Sequence, residues 1–207
     1  MARVRHGEPL PVDPKDASRY RLTLGDISAR VGLPYRLLQF WTDSRILLPE
    51  DEQLDRRGRP LPTEMTGEHP GRGRAREFSA IELQIASMLV PLSVGQDIPI
   101  GKLKGHAYIL RQALDASGPR QLRLAGGAVV DNIELRRVLD RAARRIGANF
   151  YVSCSAADGT AVVKTVTDDH GPPQLDLGNF FPEGFLRALA CTVVIDMTAR
   201  LAPLFAL

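Results

Sequence analysis

Cysteine is scarce in this chain: the 207 residues hold two, Cys154 and Cys191. They are far apart and lack the close ligand spacing of a zinc or cluster site, so they read as reduced, buried side chains, and neither a metal nor a cofactor is expected. Such cysteine usage suits a cytoplasmic protein. Long apolar runs are missing as well. Met1 to Gly7 has no signal-like apolar stretch, and the most apolar segment, Phe185 to Leu207, is broken by Arg187, Asp196 and Arg200. Neither a secretion signal nor a membrane span is expected. Nor does one sign of charge dominate, since 27 Lys and Arg face 24 Asp and Glu for a net +3. Any case for a polyanionic partner therefore depends on where the cations sit.

What is present is ordinary in bulk, with 44% apolar and 25% charged residues, as in a globular chain of one or two domains. Residues 1–21 combine Arg3, Arg5, Lys15 and Arg19 with three prolines and little periodicity, the pattern of a flexible arm. Thr23 can cap a short helix in which Leu24, Ile27 and Val31 share an apolar face, and Gly32 stops it. Pro34 suits the first turn of a second helix, whose stripe is Leu37, Leu38 and Trp41 with Phe40 as a further candidate member. Two short helices joined at a glycine form a helix-turn-helix pattern.

Glu50 to Arg76 has no helical period and is rich in Gly and Pro, so it predicts a loop or hairpin. Helical pattern resumes at Ser79-Ala80-Ile81-Glu82, a capping-box-like start, and again from Pro99 to Leu114 before Gly118-Pro119. Asp131 to Ile146 predicts an amphipathic helix. Phe150–Cys154 and Thr160–Val166 flank Ala157-Asp158-Gly159, which predicts a β-hairpin. From Pro182 onward, Leu186, Leu189, Val193, Met197, Leu201 and Leu204 recur at helical spacing, so a helix is expected there.

Two clusters point to a nucleic-acid partner. On the polar side of the second helix stand Tyr35, Arg36, Gln39 and Thr42, of which Arg36 and Gln39 can make paired hydrogen bonds with guanine and adenine edges. Between Arg56 and Arg76 lie six arginines (Arg56, Arg57, Arg59, Arg72, Arg74, Arg76) against two acids, Glu64 and Glu68. Interspersed glycines would let the backbone set guanidiniums beside phosphates, and each neutralised phosphate adds affinity through counterion release.

The run Leu24-Gly25-Asp26-Ile27-Ser28-Ala29-Arg30-Val31-Gly32-Leu33-Pro34-Tyr35-Arg36-Leu37-Leu38-Gln39-Phe40-Trp41, followed by Arg45-Ile46-Leu47-Leu48-Pro49, resembles the winged helix-turn-helix of the mercury-resistance-regulator (MerR) family. Arg76-Glu77-Phe78-Ser79 matches the way that family ends its wing, and Gly95 with Ile98-Pro99-Ile100 and Leu103 resembles the start of its next helix. The resemblance covers about 22–114, and it implies Arg36 and Trp41 or Phe40 at the recognition helix and Arg76 with Phe78 on the wing. Gln39 stands where the family usually has arginine, the wing is longer than usual, and the chain beyond Leu114 is not a simple dimerisation helix.

The expected architecture is α+β, with an arm over 1–21, a winged helix-turn-helix over 22–79, linking or dimerisation helices over 80–117 and an α+β sensor or oligomerisation domain over 118–207. The expected DNA-binding set is Tyr35, Arg36, Gln39, Trp41, Arg57, Arg59, Arg72, Arg74, Arg76 and Phe78. A homodimer on double-stranded DNA, with an effector of unspecified chemistry, is the expected assembly. Core packing is the plainer role for Trp41, because an amphipathic helix must bury something. Asp168-Asp169-His170 has no third spaced ligand and reads as an exposed turn, and Cys154 has no basic neighbour to activate it. No catalytic residue is expected; the rival readings are an architectural, excisionase-like DNA-binding protein and an enzyme with a DNA-targeting N-terminal domain.

Overall fold

Thr23 starts the first helix as its spacing predicts. Its Oγ1 accepts from the Asp26 backbone N–H at 3.2 Å while the Asp26 carboxylate accepts from the Thr23 N–H at 2.9 Å, a reciprocal cap on α1 (Leu24–Val31). Gly32 ends α1 in the left-handed region at φ 72°, which few other residues adopt cheaply. The chain then turns through buried Leu33 into α2 (Tyr35–Asp43), which buries Leu38, Trp41 and Thr42. In this computed structural model the described residues are 7–50, 76–94, 98–123, 129–156, 161–168 and 189–206.

Strand β1 (Arg21–Thr23) pairs antiparallel with β2 (Glu77–Ser79), Leu22 opposite Phe78, so the residues before α1 meet those that follow the arginine-rich segment. Helix α3 (Ala80–Val94) starts at once and is buried almost all round, from Glu82 to Leu89 and at Leu92. It touches α1, α4 (Ile100–Leu114), β2 and the C-terminal elements, which makes it the central post of the molecule. Glu82, expected as the third residue of a capping box, does other work. It pairs with Arg111 of α4 at 2.6 and 2.8 Å and accepts the Leu48 N–H at 3.1 Å.

Beyond α4, β3 (Gln121–Arg123) and β4 (Val129–Asp131) form a short antiparallel pair that leads into α5 (Asn132–Ala143), capped by the Asp131 carboxylate. Helix α5 packs on a three-stranded antiparallel sheet of order β6-β5-β7, with β5 at Ala148–Ala156, β6 at Ala161–Asp168 and β7 at Leu189–Asp196. The β5–β6 pairing agrees with the predicted hairpin; its turn at 157–160 lies outside the described residues. The fold is α+β.

Two expectations need correction. Of the helix expected from Pro182 onward, 182–188 lie outside the described residues, and the part from Leu189 is instead β7 followed by a short α6 (Met197–Leu201). The run Thr192-Val193-Val194-Ile195 is β-branched and alternates, with Val193 and Ile195 buried and Val194 exposed, and the ladder to β5 overrides the helical spacing. The second correction concerns the arm, part of which is packed. Leu10 is fully buried, donates its N–H to the Leu204 carbonyl at 2.7 Å and accepts from the Ala206 N–H at 2.9 Å. A 3-10 helix over Pro14–Arg19 follows, and Asp13 pairs with Arg144. Buried apolar residues from both halves of the chain, from Leu10 to Phe205, form one cluster.

Candidate nucleic-acid interface

Because α2 buries Leu38, Trp41 and Thr42, its opposite side is left to solvent, and there Tyr35 (54% exposed), Arg36, Gln39, Phe40 (50% exposed) and Asp43 stand together. These positions recur at the one- and four-residue steps of a single helical face. No side chain caps the start of α2, where Pro34 occupies the cap position, so the first backbone N–H groups point outward with the positive end of the helix dipole. Arg36 has no ion-pair partner among the described residues. Such a face offers a cation, an amide and two aromatic rings beside free donors, which suits a polyanion with planar groups.

The roots of the arginine-rich segment meet next to this face. The Glu50 N–H donates to the Glu77 carbonyl at 2.9 Å, Glu50 pairs with Arg21, and Arg76 lies 3.8 Å from Asp43 at the end of α2. Thus the residues that flank 51–75 lie at one place, beside the helix whose polar face is exposed. Arg57, Arg59, Arg72 and Arg74 lie outside the described residues, whereas Arg76 is half exposed.

Two members of the expected set do not belong to this surface. Trp41 and Phe78 are fully buried and join the core cluster, so their rings seat α2 and β2 on the rest of the molecule and have no face left for a partner. Thr42 is also buried, its hydroxyl donating to the Leu38 carbonyl at 2.9 Å. Of the two aromatics offered by the resemblance, Phe40 is the one at the surface.

Sequence reasoning missed Arg45. Helix α2 ends with the Arg45 N–H donating to the Thr42 carbonyl at 2.8 Å and the Ile46 N–H to the Trp41 carbonyl at 2.8 Å, and Arg45 sits at φ 59°. This is the αL closure in which glycine is the usual residue. An exposed arginine held there tolerates strain that glycine would relieve, and strain of this kind gathers at working surfaces.

Behind the interface, Arg111 reaches past Glu82 to the Ile46 carbonyl at 2.8 Å, so one buried ion pair holds the segment that follows α2 to both α3 and α4. No protein-family model, curated protein or solved structure matches the chain. Among the described residues no group of His, Cys, Asp and Glu could hold a metal ion, and no helix is long and apolar enough to cross a membrane. Cys154 is buried with its thiol 3.5 Å from Thr192 Oγ1. Asp168 ends β6 opposite Ala148, while Asp169 and His170 lie outside the described residues.

One further polar contact stands apart from this surface. His106 Nδ1 lies 2.8 Å from the Tyr151 hydroxyl, with the rings edge to face at 5.8 Å. Burial, helped by nearby Lys102, lowers the His106 pKa to about 4, and burial raises that of Tyr151 above its usual value. A protonated phenol donating to a neutral imidazole fits both shifts and leaves the ring proton on Nε2. The pair joins α4 to β5 and is structural.

Proposed function

We propose that this protein is a DNA-binding transcriptional regulator of MerR-like type, acting in the cytoplasm as a homodimer on a two-fold symmetric operator. The observation that carries the reading is the exposed face of α2, where Tyr35, Arg36, Gln39 and Phe40 stand over an uncapped helix start, with the roots of an arginine-rich segment fixed beside it. In such a reader the helix face meets base edges, and guanidiniums from Arg57, Arg59, Arg72, Arg74 and Arg76 meet phosphates on either side. Trp41 and Phe78 serve by holding these parts in register from the core. The chain beyond Ala116 supplies the dimer contact and takes part in the response to an effector.

Selection from a pool of randomised duplexes tests the reading. Two matching half-sites related by a two-fold axis should be enriched. Arg36→Ala should change which base is preferred at one position of each half-site, while Arg74→Ala should lower affinity for every sequence and leave the preferred bases unchanged. A pool that returns no common sequence counts against a sequence-reading regulator.

A further inference from the structure

Where the 3-10 helix, α3, the end of α4 and α5 meet, the fold leaves a cavity of about 550 Å³, within the size range of small-molecule sites. Leu114 and Ile133 supply apolar wall, and Ile133 is half exposed on the same face of α5 as Arg136 and Arg137. Gln84, only 2% exposed, supplies an amide from α3. Charge at the rim is unequal, with Lys15, Arg136 and Arg137 against Asp140. Of these, Arg136 is committed to the carbonyls of Ala113, Asp115 and Ala116 at the end of α4, and Asp140 shares Arg144 with Asp13, its own contact being 2.9 Å. Arg137 holds only a loose contact of 3.5 Å with Glu134, and Lys15 has no ion-pair partner among the described residues.

We propose that this cavity binds a small organic anion, a carboxylate on an apolar body, and that it is the effector site of the regulator. The apolar body lies against Leu114 and Ile133, and the carboxylate meets Lys15 and Arg137 at the rim. The effector role rests on the DNA-binding reading above; the binding itself does not. The route between the two sites is short. Gln84 and Leu114 lie within one helical turn of Glu82 and Arg111, the ion pair that holds Ile46 and Leu48 behind α2. An occupant that shifts α3 against α4 therefore acts on the clamp that sets the angle of α2.

Isothermal titration of the full chain with octanoate, and with octylamine as the charge-reversed control, tests the site. Octanoate should bind at least about tenfold more tightly than octylamine, the difference one charge-assisted contact provides. Lys15→Ala with Arg137→Ala should remove that preference, and Leu114→Arg should remove octanoate binding while the variant keeps its far-ultraviolet dichroism. Equal binding of the two probes, or octanoate binding unchanged in both variants, overturns the site. A labelled duplex added to the same samples reads the effector role. A change in DNA affinity with octanoate supports it, DNA binding indifferent to bound octanoate overturns it, and absence of DNA binding with octanoate binding intact is a failure of the DNA reading alone.

Discussion

Arg45 holds a left-handed backbone that a glycine would hold without steric cost, and it is exposed just beyond the end of α2. On the proposed function, stability and DNA binding are therefore opposed at this residue. Arg45→Gly should raise the unfolding free energy by roughly 0.5–1 kcal/mol in urea titration while weakening binding to duplex DNA. Tighter DNA binding together with greater stability would show that the arginine has no part in the interface. The equivalent closure of α5 gives a control far from α2, because Arg145 also sits at φ 59° with the same pair of backbone hydrogen bonds. There the glycine substitution should stabilise and leave DNA binding alone. Neither arginine announced its conformation in the sequence, since αL positions are recognised through glycine and asparagine, and these are exceptions.

Among the elements, α1 and α2 were readable because capping residue, stripe and stop agree: Thr23, then Leu24 and Ile27, then Gly32. The same agreement made α5 readable from Asp131 onward. Helix α3 was readable in extent but not in role, because a helix buried all round has no amphipathic signature and its one acid, Glu82, looked like a cap. A sequence cannot reveal that Arg111 lies across from it.

The Glu82–Arg111 pair satisfies a backbone donor and a backbone acceptor besides its two charges, so Glu82→Ala would strand a buried guanidinium. A loss of about 3 kcal/mol in chemical denaturation is expected, and a loss under about 1 kcal/mol would contradict the clamp. His106 yields a pH prediction. Its folded pKa of about 4 lies below the ordinary histidine value of 6.5, so the unfolded chain takes up the proton first as pH falls. The stability that depends on neutral His106 is complete above pH 6.5 and is lost as pH drops towards about 4, by up to about 3 kcal/mol. The difference in stability between wild type and His106→Gln should shrink across that window, and a difference independent of pH would exclude the mechanism.

Across the whole molecule, the two ends of the chain are joined. Leu10 bridges to Phe205 in parallel, and Asp13 reaches Arg144, so a segment that reads as an arm closes the core over α6. Leu10→Ala should therefore cost about 3 kcal/mol, the range of a buried leucine, and a change within 0.5 kcal/mol would return the segment to the status of an arm. Composition misled here because prolines and scattered charges dilute a single decisive leucine. The β7 strand was missed for a related reason: its spacing permits a helix, and only pairing with β5, far away in sequence, selects the strand. The candidate interface was legible where one helix face supplies it. The removal of Trp41 and Phe78 from it needed the packing.

On the proposed function, the α2 face and the arginine-rich segment together hold a duplex. Fluorescence anisotropy of a labelled duplex with the full chain, titrated between about 50 and 200 mM salt, tests it most directly. Affinity should fall steeply with salt, Arg74→Ala and Arg76→Ala should each flatten the logarithmic slope by roughly one unit, and Arg36→Ala should weaken binding only to a preferred sequence. Affinity that ignores salt, or that survives all three substitutions unchanged, would contradict the account.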